Sequence, residues 1–114
     1  MNRAALALVL VSVMASPVLA ADTKGTQFWN LTKNTLTTVA LAPAGTTNFG
    51  PNQCLNDPDK SVDHDERLKI TGVETGRFDV KVADKTRTCV VRNVQVTAGK
   101  VFSIDEKQMT DCVK

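Results

Sequence analysis

The chain has 114 residues, of which 42% are hydrophobic, 4% aromatic and 23% charged; 14 Lys+Arg stand against 12 Asp+Glu, for a formal net charge of +2. That length holds one ordinary domain. The apolar content and balanced charge exclude a disordered tail, and so small a positive excess excludes a chain built overall for nucleic acid.

Met1-Asn2-Arg3 supplies one positive charge, and Ala4 to Ala15 is an almost unbroken apolar run. Ser16-Pro17 interrupts it ahead of Val18-Leu19-Ala20, compact residues that suit signal peptidase. The pattern predicts a cleaved signal peptide over residues 1–20 and a single domain over 21–114. The run is shorter than the ~20 residues a bilayer core needs. No Lys/Arg cluster follows to stop transfer, so no integral membrane segment is expected after cleavage. No Cys sits just after Ala20 to take a lipid anchor. The short basic n-region is of bacterial type and predicts a periplasmic or secreted protein, which makes the Asn30-Leu31-Thr32 sequon an accident of composition.

From there the apolar residues recur with a period of two. Phe28 to Leu31 and Leu36 to Leu41 are strand-like and are separated by Lys33-Asn34-Thr35. Pro43 to Glu66 is long and irregular, with Gly45, Gly50, Pro51 and Pro58; a loop of this length is either functional or a crossover between sheets. Leu68 and Ile70 alternate with Arg67 and Lys69, and Phe78, Val80 and Val82 with Arg77, Asp79 and Lys81. Val90 and Val94 fit one face while Val91 does not, which predicts a bulge near Arg92-Asn93. Val94 and Val96, then Phe102 and Ile104, complete the series across Thr97-Ala98-Gly99-Lys100. Short links imply antiparallel neighbours. No window shows an i, i+3, i+4, i+7 apolar stripe. The expectation is an all-β fold: a small antiparallel β-sandwich of six to seven strands, Greek-key-like, with one disulfide.

Three cysteines, Cys54, Cys89 and Cys112, allow one internal bridge and leave one thiol over. Cys89 opens the fifth strand and Cys112 follows the sixth, so a hairpin across Thr97 to Lys100 brings their ends together and favours Cys89–Cys112. Closing such a loop stabilises by roughly 3 kcal/mol in the chain-entropy model. Cys54 remains either a buried inert thiol, an intermolecular bridge, or the true partner of Cys89. The three spacings do not match the close-paired ligands of zinc motifs.

Asn34-Thr35 after an aromatic strand, Ala42-Pro43-Ala44-Gly45, Phe49-Gly50, Phe78-Asp79-Val80-Lys81-Val82, Cys89 and Cys112 together resemble a group of small exported bacterial all-β proteins of uncharacterised function. Those proteins commonly carry Trp-Gly at Phe49-Gly50 and Tyr-Asp at Phe78-Asp79. The resemblance implies an exported all-β domain and supplies no active-site residue. Cys54 departs from the pattern.

The inventory for catalysis is poor, and no enzyme is expected. Residues 21–114 hold one His, His64, no Tyr, and only Ser61 and Ser103 as serines. Ser61, Asp63 and His64 are triad types but sequence neighbours in a loop, where no nucleophile, base and orienter are held in line. There is no phosphate-cradling Gly-rich loop and no H-E-x-x-H motif.

Charge is distributed unevenly. Asp57, Asp59, Asp63, Asp65 and Glu66 are five of the 12 carboxylates, and with His64 they form a candidate divalent-metal set, though Val62 and Leu68 stand where an EF-hand needs Gly and Glu. The bland alternative is a solvated loop whose acids cap turns. Otherwise no cofactor is expected. Arg67, Lys69, Arg77 and Lys81 follow directly; paired antiparallel, their strands set these four side by side as a basic face for an anionic partner. No aromatic platform interleaves these basics, so nucleic acid is not the expected partner. The favoured reading is a non-catalytic exported interaction or inhibitor-like domain holding another envelope or extracellular protein. The alternative is a small metal-binding protein using residues 57–66. The oligomeric state is not legible.

Overall fold

The computed structural model describes residues 25–114, so the expected signal peptide lies outside the described residues. Seven strands follow in order: β1 Thr26–Leu31, β2 Thr38–Pro43, β3 Arg67–Ile70, β4 Gly76–Ala83, β5 Thr88–Val96, β6 Val101–Asp105 and β7 Cys112–Val113. They form a three-stranded sheet ordered β3-β1-β6 and a four-stranded sheet ordered β2-β4-β5-β7. Inward-pointing residues of both sheets make one core, with Phe28, Leu68, Ile70, Phe102 and Ile104 from the first facing Val39, Leu41, Val80, Val82, Val91 and Val96 from the second. Phe28 and Phe102 pack with ring centroids 5.4 Å apart. Burying such a side chain contributes on the order of 1.5–3 kcal/mol.

Strand positions agree with the period-two reading, but the pairing does not. Of consecutive strands only β4 and β5 are neighbours; β1 and β2, β3 and β4, and β5 and β6 each lie in different sheets. The short links therefore step between layers instead of closing hairpins. One ladder is parallel rather than antiparallel, β1 on β6, with Phe28 opposite Phe102 and Asn30 opposite Ile104.

The bulge falls where expected. Phe78 pairs with Val94 and Val80 with Val91, so Asp79 alone faces Arg92 and Asn93. Asn93 takes a φ of 59°, a region Asn tolerates better than most residues.

The disulfide joins Cys89 and Cys112, opposite residues of the antiparallel pair β5 and β7. Its sequence rationale needs correction: β6 leaves for the other sheet, and the chain returns to β5 through the 3₁₀ turn Glu106–Gln108 and buried Met109. Cys54 stays free and fully buried, its Sγ 3.6 Å from the Leu36 carbonyl.

The long segment between β2 and β3 is a crossover that seals two sheet edges with side chains. Asn52 accepts from the Val39 N–H and donates to the Thr37 carbonyl on the open edge of β2, while the Gly50 N–H donates to Leu41. Asn52 also caps the 3₁₀ turn Gln53–Asn56 by accepting from the Cys54 N–H. Gln53 then both donates to and accepts from the Thr71 backbone, and Asn56 donates to the Lys69 carbonyl beside β3. Three neighbouring amides thus replace the strand that each edge lacks. Among the described residues no helix is long and apolar enough to cross a membrane.

Candidate binding surface

The outer face of the three-stranded sheet is read off its registers. Gln27 lies between Lys69 and Val101, and Trp29 between Arg67 and Ser103. Phe28 and Leu68 point inward, so alternation sends Trp29 and Arg67 outward together. The Arg67 guanidinium carbon sits 4.7 Å from the centroid of the Trp29 ring, a cation–π stack. The indole N–H donates to the Asp65 carboxylate at 3.0 Å. Asp65 is held there by its own backbone, with φ 68° and its N–H bonded to the Asn30 carbonyl. The chain's single Trp is thereby locked at both edge and face in the middle of the sheet.

Arg67 and Lys69 do share this face, but Arg77 and Lys81 do not join them. Those two lie on β4 in the other sheet, on its outer side, so the expected four-residue basic face is split across opposite faces of the sandwich. Lys81 Nζ rests 4.5 Å from the Phe49 ring centroid, and Arg77 donates to the Asn93 carbonyl at 3.1 Å. Phe49 reaches Lys81 because residues 44–50 fold back over the four-stranded sheet.

The acidic segment is used in turns. Asp57 accepts from the Asp59 N–H, Asp63 from the Thr35 hydroxyl, Glu66 from the Asp63 N–H, and Asp65 from Trp29. His64 Nδ1 lies 2.6 Å from the Thr32 carbonyl; a carbonyl only accepts, so Nδ1 donates in this bond. Among the described residues no three His, Cys, Asp or Glu side chains gather as a metal-ligating group, so the six acidic-segment residues are not brought together.

The strongest electrostatics lie elsewhere. Asp79, 2% exposed, accepts from the Asn93 and Gly45 N–H groups, with Arg92 3.6 Å away. Those backbone bonds, Asn93's first, hold its carboxyl below the usual range against the opposing effect of burial. At the end of the sandwich formed by the 33–35 and 84–87 turns, burial pushes Asp84 upward, but bonds from Asn34, the Thr86 N–H and hydroxyl, and Arg87 outweigh it and leave the carboxyl well below its ordinary value. Arg87 continues to Glu106 at 2.6 Å, and Glu106 accepts from the Lys33 N–H; that backbone bond, then Arg87, holds its carboxyl down as well. This chain of bonds ties three turns together and is structural in character.

Asn30 has a related role. Fully buried, it donates to the Asn34 and Val62 carbonyls and accepts from the Thr32 N–H and hydroxyl, so every amide valence is engaged. The sequon asparagine is a structural pin.

The sequence reading passed over Trp29, whose signal was present: it is the only Trp, at outward parity beside inward Phe28. Alternation sets Asp79 on the outer side of β4, and there the Gly45 turn covers it. No protein-family model matches the chain, and neither does any curated protein or solved structure.

Proposed function

We propose that this chain is a non-catalytic extracytoplasmic binding domain that holds another protein on the outer face of its three-stranded sheet. The observation that carries the reading is Trp29, partly exposed at the centre of that face, fixed by Asp65 and stacked under Arg67. Trp and Arg are the side chains most enriched where proteins bind tightly, because they bring large contact area, and a side chain already immobilised loses little entropy on binding. Lys69 and Gln27 extend the face with polar rim groups. A small disulfide-bonded all-β fold is consistent with an extracytoplasmic address, where the bridge persists. The signal-peptide pattern supports a periplasmic or secreted location.

The test is capture from the cell-envelope fraction with immobilised protein, repeated with Trp29→Ser and with Arg67→Ser/Lys69→Ser. A partner retained by the native protein and lost by both variants at unchanged thermal stability is the expected result. Equal retention by all three overturns this face as the site.

A further inference from the structure

We propose that two copies of this chain pair edge to edge through β6, antiparallel, joining their three-stranded sheets into one sheet of six strands. The inference is independent of the Trp29 reading, since edge pairing leaves the outer face open.

Sheet edges invite pairing unless they are blocked. The free edge of β3 is engaged by Asn56 and Gln53, and that of β2 by Gly50 and Asn52. β7, the edge of the larger sheet, is two residues long. β6 has five residues and no comparable cover. The Gln27 N–H donates to the Lys100 carbonyl, so alternation directs the backbone groups of Phe102 and Ile104 toward β1 and those of Val101, Ser103 and Asp105 away from it. The outward Asp105 N–H is satisfied by Gln108. Among the described residues the N–H and C=O of Val101 and of Ser103 have no partner. Val101 is also 42% exposed, one of three large hydrophobic side chains left in solvent among the described residues.

Charge selects the occupant. Lys100 precedes β6, and Asp105 ends it. Antiparallel self-pairing sets Lys100 of each copy near the acidic end of the other; parallel pairing sets like beside like. With Val101 opposite Ser103 of the second copy, the four unpaired groups of each edge are matched reciprocally, the isologous arrangement of a two-fold dimer.

Sedimentation equilibrium of the purified protein over a range of concentrations tests this, with Val101→Asp and Ser103→Pro as variants. Pro at residue 103 removes an outward N–H and no bond to β1, so the fold tolerates it. Val101→Asp sets like charge near Asp105 of the second copy without touching the backbone, and carries the test should Ser103→Pro fail to fold. The expected result is a concentration-dependent native dimer whose dissociation constant rises about tenfold or more in each folded variant. A native chain that stays monomeric throughout overturns the proposal. So does a dimer unchanged by Val101→Asp, which locates the contact elsewhere, or a monomer that instead takes up a strand of a different protein at this edge.

Discussion

Asp79 is where the bulge of β5 and the turn after β2 meet. Its two carboxylate oxygens take one backbone N–H each, from Asn93 and from Gly45. Asp79→Asn keeps one acceptor and sets an amide donor against the second N–H, so Tm falls in thermal unfolding, and falls further for Asp79→Ala, which leaves both unpaired. Gln53, 4% exposed, stands in for a strand beside Thr71. Gln53→Leu nearly retains the volume but orphans a part-buried edge, and denaturant unfolding reads a loss of about 1 kcal/mol. Cys54 is the residue whose reactivity is suppressed: burial, then the nearby Asp57 charge, push its thiol up to about 11. An alkylating reagent is expected to label it only after unfolding, with mass spectrometry of the intact chain as the readout. None of these roles was legible from parity, because parity sorts residues between the two sides of a strand and is silent about a loop that folds over the outer side.

At the scale of elements, the strands were legible and their partners were not. Leu68 and Ile70, or Phe102 and Ile104, announce a strand because burial of one face imposes alternation on the chain. A link such as Thr97 to Lys100 fixes only how far apart two strand ends lie. Adjacent strands are about 4.8 Å apart and packed sheets about 10 Å, and four residues span either distance. The Arg92-Asn93 bulge was readable because an extra residue shifts the phase of the valines around it. The bridge between Cys89 and Cys112 holds β7, two residues that have few other reasons to stay. Cys112→Ser is expected to lower stability by roughly 3 kcal/mol in guanidinium unfolding, and reduction of the native protein should reproduce the loss.

Across the whole molecule, charge is organised as turn chemistry at the ends of the sandwich and as one cation–aromatic stack on each outer face. The basic residues were evident as a sequence cluster, but their division between two faces depends on a topology the linear order does not encode. Asp79, Asp84 and Glu106 have folded-state carboxyls held below their unfolded values. Groups shifted in that direction contribute stability that is complete above the ordinary carboxylate range and is lost as pH falls through the folded-state values. Tm is therefore expected to stay level above about pH 5 and to drop steadily below about pH 4. Asp84→Asn is expected to lower the plateau and flatten that acid limb.

The parallel ladder of β1 on β6 has a consequence for how the molecule comes into being. The first strand waits between two partners, and one of them ends at Asp105. A chain emerging N-terminus first cannot close its smaller sheet until nearly all of it has appeared, and contacts of such sequence separation also slow the search for the native pairing. The smaller sheet is therefore the last part of the fold to close, whereas β4 and β5, consecutive and already adjacent, can have paired well before it.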